Sequence, residues 1–401
     1  MLEFKDKTTA VFLIKEIKKI AKQKKFIKIM HVCGTHEMAI ARWKIRDILP
    51  KNIKVICGPG CPVCVTSAKE IDLAIKLALE KKIILTTFGD VFRVPGSKFS
   101  LSEAKSKGAD VKIIYGINEA IEIAKKNPKK QVVHFAIGFE TTAPTTAIEI
   151  LNNQKLKNFS IICSHRLIPP AMKALLESGE CNIDGFICPG HVSTIIGSLP
   201  YESLAKKFNK PFVVGGFELN DILLSILMIL KKINPASSGD ALNFIKKFSF
   251  IAHPRSKIIK YSERRLINCA TSLSDLVQIE YTRAVKSEGN KLALKKIYEV
   301  FEVCDKNWRG IGMIPNSGLK LKKKFIKFDA EKKFKISTDH ANKSQTTNYD
   351  TMPGCKCGEI MKGLAEPKNC PYFKKQCAPD SPIGACIVSV EGPCNVAFKN
   401  L

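Results

Sequence analysis

The feature that most constrains this sequence is an alternation of short apolar segments with amphipathic segments between residues 26 and 216. Eight of the apolar segments are rich in β-branched residues and have the length of buried strands. They are FIKIMHVC ending at Cys33, IKVIC ending at Cys57, IILTTF from Ile83, VKIIY from Val111, VVHFAI from Val132, SIICS from Ser160, GFICPG from Gly185 and PFVVGG from Pro211. Apolar strands that alternate with helices are typical of parallel sheets covered on both faces. The sequence therefore predicts an α/β fold.

A chain of 401 residues is too long for one ordinary hydrophobic core, so we expect several domains. The strand segments divide near Asn127 to Gln131, which predicts two doubly wound parallel-sheet domains, over residues 1–128 and 129–235. Residues 236–401 are predicted to form a mainly helical region and a smaller helical and loop C-terminal domain. The polar stretch STDHANKSQTTNYD before this C-terminal domain is interpreted as an exposed connection.

The net charge of +28 raises the question of nucleic-acid binding. The lysines are spread along every helical segment instead of forming one stripe beside aromatic residues, which favours solvated helix faces. We therefore expect no nucleic-acid partner, and a basic surface suited to an acidic protein or an anionic group. No apolar run reaches the roughly 18 residues of a membrane span, and the first residues lack a signal-peptide pattern. The expected location is the cytoplasm, without membrane contact.

Fifteen cysteines are many for a cytoplasmic protein, where thiols stay reduced and disulfides are rarely structural. Spaced cysteines in that setting indicate metal or redox chemistry more often than scaffolding. Cys61 and Cys64 form a C-P-V-C pair directly before a helical segment, where helix N–H groups favour the thiolate. Two thiols at this spacing can close a disulfide or share a metal. Cys57 lies within an apolar strand and is interpreted as a buried, inert thiol.

The motif CGTHE follows the first strand and places His36 and Glu37 close to Cys33. A cysteine and a histidine can form a nucleophilic pair, but no oxyanion glycine motif of a hydrolase accompanies them. His36 is therefore open to a structural or a functional interpretation. Because parallel strands present their carboxyl ends at one edge, CGTHE and CPVC together predict three thiols that face one cleft.

The last fifty residues contain six cysteines, several prolines and little apolar sequence, so we expect a metal centre to order them. Cys355, Cys370, Cys377 and Cys394 are separated by 14, 6 and 16 residues. A structural zinc site usually has two close pairs of ligands, which this spacing lacks. Four thiolates on loops fit a [4Fe-4S] cluster, with zinc as the alternative. Cys386 has apolar neighbours and is predicted to be buried.

Six motifs together resemble one known family, the [NiFe]-hydrogenase maturation factors HypD. They are HVCGTHE, GPGCPVCVT, FGDVFRVPGS, GFETTAPTTA, CPGHVSTIIG and GIGMIPNSGLKL, followed by the cysteine-rich tail. The resemblance extends over almost the whole chain, and it implies two α/β domains and a third domain with a [4Fe-4S] cluster. It also implies assembly of the Fe(CN)2CO group of the hydrogenase active site with the small partner HypC, using cyanide carried by HypE. The hydrogenase large subunit would be an indirect partner, which receives the assembled group.

The resemblance implies roles for individual residues. Cys33 would hold the Fe(CN)2CO iron, with His36 and Glu37 beside it, and the Cys61 and Cys64 pair would exchange electrons. The cluster ligands would be Cys355, Cys370, Cys377 and Cys394. Cys357 would then lie near the cluster without binding it, and the roles of His191 and Glu140 are left open.

Such a protein is an assembly scaffold with thiol and iron–sulfur redox chemistry more than a conventional turnover enzyme. Two alternatives remain from the residues alone. One is a stand-alone, cluster-dependent thiol/disulfide oxidoreductase, which would need a protein substrate and no bound iron carbonyl. The other is a nucleic-acid-binding zinc protein, which would bind RNA or DNA in a salt-dependent way.

Overall fold

The computed structural model describes residues 7–22, 26–234, 275–335 and 352–400. The polar stretch STDHANKSQTTNYD and most of the helical region predicted after residue 236 lie outside the described residues. The chain divides into two compact units, each built from two segments of sequence. The first unit contains Met1–Gly60 and Leu175–Asn290, and the second contains Cys61–Ala174 and Lys291–Leu401.

The described residues form the following elements. The strands are β1 (Ile27–His31), β2 (Ile53–Cys57), β3 (Ile83–Thr87), β4 (Val111–Ile113), β5 (Gln131–Gly138), β6 (Phe159–His165), β7 (Gly185–Pro189), β8 (Phe212–Gly215), β9 (Val277–Ile279), β10 (Phe301–Trp308) and β11 (Gly312–Leu321). The helices are α1 (Lys7–Ala21), α2 (Gly34–Arg42), α3 (Ile45–Ile48), α4 (Pro62–Val65), α5 (Ala68–Ala78), α6 (Leu101–Ser106), α7 (Ile117–Lys126), α8 (Ala143–Asn152), α9 (Ile168–Ser178), α10 (Gly190–Ile196), α11 (Leu199–Phe208), α12 (Leu219–Ile233), α13 (Lys291–Val300), α14 (Ala330–Lys333), α15 (Cys357–Met361) and α16 (Pro393–Asn400). Short 3-10 helices cover Gly89–Val91, Lys323–Phe328, Pro367–Asn369 and Ala385–Ile387.

The first unit contains a parallel sheet with the strand order β2-β1-β7-β8-β9. In the register of this sheet, Ile29 lies between Val55 on β2 and Gly185 on β7. Helices α1 and α12 pack on the sheet and on each other through apolar faces that include the buried side chains of Leu13 and Ile226. The carboxyl ends of the strands lie at one edge, where the CGTHE loop follows β1.

The second unit contains a parallel sheet with the order β4-β3-β5-β6 and an antiparallel hairpin of β10 and β11. A bridge between Arg166 and Gly318 joins the hairpin to the end of β6. All eight predicted strands are present, and two parallel sheets with a helical and loop C-terminal region confirm the predicted fold class. Strands β9, β10 and β11 were not predicted from the sequence.

The C-terminal segment from residue 352 to 400 contains two α-helices, two 3-10 helices and otherwise irregular backbone. Its 3-10 helix Ala385–Ile387 packs against both α16 and α4, so the CPVC segment and the cysteine-rich tail meet within the second unit. Among the described residues, no helix has both the length and the apolar composition needed to cross a membrane.

Candidate metal and thiol sites

Cys33 is buried at the start of α2, where it is the N-cap residue with an extended backbone. The CGPG loop after β2 lies directly against it, because Gly34 donates its N–H to the carbonyl of Gly60 at 2.9 Å. A Cβ on Gly60 would collide with the backbone nitrogen and Cα of Cys33. The glycine therefore permits the close approach of two backbones that fixes the position of Cys33.

Glu37 is buried in the first turn of α2 and lies between two nitrogen-bearing side chains. Arg46 donates two hydrogen bonds to its carboxylate, at 3.0 and 2.6 Å, and Nε2 of His31 lies 2.7 Å from Oε2. Burial disfavours the charged carboxylate, but Arg46 and His31 outweigh it and hold the pKa of Glu37 well below its usual range. Because Nδ1 of His31 contacts the Cys33 carbonyl at 3.1 Å, this ion pair supports the Cys33 backbone.

His36 is fully buried and donates from Nε2 to the carbonyl of Gly216 at 2.9 Å. Its ring lies 4.8 Å from that of Phe217, and the exposed His191 ring stacks on Phe217 at 4.0 Å. Burial, together with His31, lowers the pKa of His36 to about 3, so the ring is neutral at physiological pH. Its buried Nδ1 has no hydrogen-bond partner among the described residues, which leaves a neutral imidazole nitrogen available as a ligand.

His31, Glu37 and Cys57 form a second group of possible metal ligands in the first unit. One ligand atom from each lies within 4.8 Å of the other two. Cys57 is only partly buried at the end of β2, whereas the sequence suggested a buried thiol. The carboxylate already binds Arg46 and His31, so a metal ion here would have to displace existing contacts.

Cys61 and Cys64 are joined in a disulfide in the second unit, with Cys61 as the N-cap of the short helix α4 and Cys64 within that helix. The Cα atoms are 5.3 Å apart, and Cys61 Sγ accepts the N–H of Cys64 at 3.2 Å. Both residues are buried. The long amphipathic helix α5 begins later, at Ala68, behind its own capping box of Ser67 and Glu70. The pair therefore lies at the N-terminus of the separate short helix α4, whereas the sequence predicted a position at the start of α5.

The six C-terminal cysteines lie near one another in the second unit. They are Cys355, Cys357, Cys370, Cys377, Cys386 and Cys394. The Cys355 thiol is close enough to the thiols of Cys370 and Cys377 to interact with them electrostatically. The Cys394 thiol interacts in the same way with those of Cys355 and Cys370. Cys377 Sγ also accepts the backbone N–H of Ile383 at 3.4 Å. Four thiolates and a backbone N–H directed at sulfur are the donor types that bind an iron–sulfur cluster. The residues present therefore fit such a group.

The two remaining cysteines of this region form a hydrogen-bonded chain of thiols. The Cys357 thiol forms a hydrogen bond with the Cys386 thiol. The Cys386 thiol in turn donates a hydrogen bond to Cys394 Sγ at 3.0 Å. Both Cys357 and Cys386 are almost completely buried, which agrees with the burial predicted for Cys386. The chain directs S–H donors at one member of the predicted ligand set.

Glu140 lies in the GFETTAPTTA loop after β5 and is buried in the second unit. Its Oε1 accepts the N–H of Ile168 at 3.0 Å, whereas its buried Oε2 has no hydrogen-bond partner among the described residues. Burial raises the pKa of this carboxyl to about 7. Its place in the fold leaves its role open.

The sequence singled out the residues of CGTHE and CPVC but not their supporting contacts. His31 ends β1 two residues before Cys33, and a histidine at a strand's carboxyl end was a usable signal. Arg46 had no such signal, because its contact with Glu37 arises only when α3 packs beside α2.

Comparison with known proteins gives concordant results over the whole chain. A sequence profile named HypD and described as "Hydrogenase formation hypA family" matches residues 8–246 and 260–400. A putative hydrogenase expression/formation protein of Methanocaldococcus jannaschii is 44% identical, over 100% of this chain and 99% of that protein. The hydrogenase maturation factor HypD2 of Bradyrhizobium diazoefficiens is 42% identical, over 98% of this chain and 94% of its own length. HypD of Cupriavidus necator is 37% identical, over 99% and 96%.

Proposed function

This chain belongs to the HypD family of hydrogenase maturation factors, and on that premise we propose that it is a redox-active scaffold for assembly of the Fe(CN)2CO group. The proposal includes HypC as the partner that shares the iron, HypE as the cyanide donor, and the cytoplasm as the location. It makes the hydrogenase large subunit an indirect recipient. The observation that carries the redox part is the packing of the CPVC helix against the cysteine-rich tail.

Cys33 is proposed as the protein ligand of the iron that is being assembled. The thiolate is the form that binds metal, and a helix N-terminus favours it through unpaired N–H groups and the positive end of the helix dipole. The paired Glu37 carboxylate and the His31 ring hold the backbone at Cys33, so these residues orient the ligand. The neutral Nδ1 of His36 is available three residues further along the same helix.

Cys355, Cys370, Cys377 and Cys394 are proposed to hold a [4Fe-4S] cluster. Such a cluster, when bound, supplies single electrons. The thiol chain from Cys357 through Cys386 donates a hydrogen bond to Cys394, which lowers the electron density on that sulfur. These residues are thus placed to adjust the potential of the site without being ligands.

The Cys61–Cys64 disulfide is proposed as a reversible two-electron store. Reduction breaks its S–S bond, consumes two electrons and two protons, and leaves two thiols. Burial on α4 excludes water from the pair, while Cys61 keeps the N–H of Cys64 as a donor to its sulfur. In the reduced pair this N–H would remain a hydrogen-bond donor to the Cys61 sulfur.

The test is infrared spectroscopy of the complex with HypC, purified without oxygen. We expect bands of iron-bound cyanide and carbon monoxide for the unaltered chain, and their loss in Cys33→Ala because the iron has lost its thiolate. Cys181→Ala is the matched control, since it removes another buried thiol of the same unit.

Bands of normal intensity in Cys33→Ala would remove this residue from the iron site. Absence of the bands from the unaltered complex, combined with disulfide transfer to a protein substrate, would favour the stand-alone oxidoreductase instead. Iron and sulfide in the purified chain would exclude the zinc alternative.

A further inference from the structure

A groove in the second unit is formed by two segments of the chain that the proposed function does not use. One segment is the turn between α8 and β6, and the other comprises the 3-10 helix Lys323–Phe328 and α14. The groove has a volume of about 730 Å³, and we call it the lysine groove. Its lining residues are Gln154, Lys155, Leu156, Lys157, Ile326, Lys327, Lys332 and Lys333.

Two hydrogen bonds connect the walls of the lysine groove. Lys327 Nζ donates to the carbonyl of Gln154 at 2.7 Å, and Lys333 Nζ donates to the carbonyl of Lys157 at 2.8 Å. The 3-10 helix and α14 also pack against β6. The shape of the groove therefore belongs to the folded unit and does not depend on a ligand.

The charge of the lysine groove has a single sign. Five of its eight lining residues are lysines, and none is acidic. Lysine and arginine together make up 65 of the 401 residues, or about one in six, so composition alone does not account for this density. The acceptors of Lys327 and Lys333 are neutral carbonyls, and none of the five lysines forms a salt bridge within the described residues. The positive charge is therefore available to an anionic partner.

The carboxylates nearest in sequence compensate this charge only weakly. Asp329 is the N-cap of α14 and accepts the backbone N–H of Lys332 at 3.2 Å. Glu331 interacts electrostatically with Lys306 as well as with Lys332, and burial raises its pKa. Burial also lowers the pKa of Lys333, because its ammonium group has lost part of its hydration. A carboxylate supplied by a partner would replace that hydration.

The lysine groove also offers apolar surface. Ile326 is 46% exposed, Leu156 is partly exposed, and the lysine stems add methylene groups. The lining contains no arginine and no aromatic ring, which are the groups that usually hold single-stranded nucleic acid by stacking. The groove therefore fits a chain that carries both carboxylates and aliphatic side chains better than it fits a nucleic acid.

We propose that the lysine groove is a docking site for an acidic segment of a partner protein. Aspartate or glutamate side chains of the segment pair with the lysine ammonium groups, and an aliphatic side chain packs on Leu156 and Ile326. The charges accelerate association and select the partner, while the apolar contact adds buried area. The inference goes beyond the proposed redox function and does not depend on it.

The test uses the full chain, purified anaerobically, and a fluorescently labelled peptide of alternating glutamate and leucine. Fluorescence anisotropy at low ionic strength gives the dissociation constant. We expect this peptide to bind at least about tenfold more tightly than the same peptide with glutamine in place of glutamate, because several modest ion pairs act together. Added salt should reduce the difference. The bound peptide should also slow amide hydrogen exchange in residues 154–157 and 323–333.

Charge reversal tests whether the peptide binds in the groove. Lys155→Glu combined with Lys332→Glu should weaken binding about tenfold or more, because attraction becomes repulsion at two ammonium groups that have no hydrogen bond within the described structure. Lys69→Glu combined with Lys98→Glu is the matched control. It makes the same change in net charge at two exposed lysines of the same unit that do not line the groove. The control should change binding by at most about twofold.

Several results would overturn the inference. Equal affinity for the glutamate and glutamine peptides would exclude an acidic ligand. Equal loss in the groove variant and in the control would show that the overall positive charge attracts the peptide. Displacement of the peptide by oligothymidylate, with loss of oligothymidylate binding in the groove variant alone, would assign the groove to nucleic acid.

A second variant covers a failure of the charge-reversal variant to fold. Lys155→Gln combined with Lys332→Gln should then weaken peptide binding about threefold or more, and failure of both variants to fold would overturn the docking role in favour of a structural one. The infrared test of the proposed function is independent of these measurements. Absence of its bands would count against that function and leave the docking site in place.

Discussion

The Glu37 carboxylate is bound by the Arg46 guanidinium and by the His31 ring, and neither partner lies within the CGTHE segment itself. The sequence identified Glu37 as a functional candidate because it stands four residues after Cys33. The contacts instead make it a support for His31 and, through it, for the Cys33 backbone. A motif thus predicts which residues lie close together, whereas their roles depend on partners that the tertiary fold provides.

Glu140 gives a prediction at the level of one carboxyl group. Its pKa of about 7, raised by burial from 4.5, means that the folded chain keeps a proton that the unfolded chain releases between these values. The folded state then binds more protons than the unfolded state, so stability falls as pH rises from about 4.5 to 7. The loss is about 3 kcal/mol if the full shift is expressed.

Glu140→Gln should remove this pH dependence, because an amide keeps the acceptor for the Ile168 N–H and does not ionise. We expect the Tm difference, variant minus unaltered chain, to increase between pH 5 and pH 8. Differential scanning fluorimetry at both pH values measures it, with Glu80→Gln as an exposed control. A difference that stays constant with pH would show that Glu140 is ionised in the folded chain.

The strands show which elements sequence patterns can reveal. Each of the eight predicted strands is a mostly apolar run, and a run of that kind is visible without knowing its neighbours. Strands β10 and β11 carry exposed and charged residues along much of their length, so they lack both the continuous and the alternating apolar pattern. Strand β9 has only three residues, which is too short for periodicity.

The start of α15 gives a prediction at the level of an element. Cys355 precedes the helix and lies near Cys370 and Cys377. Cys357 is the first residue of the helix, and its thiol forms a hydrogen bond with Cys386. We therefore expect Cys355→Ala to lose most of the bound iron, because it removes a ligand. Cys357→Ala should retain the iron and at most shift the potential, because it removes only the first thiol of the donor chain.

Iron content and the visible charge-transfer absorption of the two variants measure the difference. Each variant serves as the control for the other, since both remove one thiol from the same segment. Loss of iron in Cys357→Ala with retention in Cys355→Ala would transfer the ligand role to Cys357.

The assembly of each unit from two distant segments is a property of the whole molecule. Strand β1 pairs with β7, so Ile29 lies beside Gly185, and the first-unit sheet includes strands from both halves of the chain. Local patterns contain no information about such pairings, which depend on the relative stability of complete sheets. The contiguous segments 1–128, 129–235 and 236–401 stay a prediction that sequence patterning alone supports.

The last prediction concerns removal of the metal from the whole chain. Residues 352–400 contain only short helices and irregular backbone, and five of their six cysteines are buried. A segment of this kind gains order from metal binding, because the binding free energy becomes folding free energy. The anaerobically purified chain should contain about four iron and four sulfide. After treatment with oxidant and chelator, we expect faster amide hydrogen exchange in residues 352–400 and in α4, which packs against them.

Strands β1, β2 and β7 of the first unit are the internal control and should keep their protection, because none of the proposed cluster ligands lies in that unit. Unchanged exchange in the C-terminal segment after complete iron loss would mean that its apolar contacts alone order it, and zinc without sulfide would replace the cluster by a zinc site.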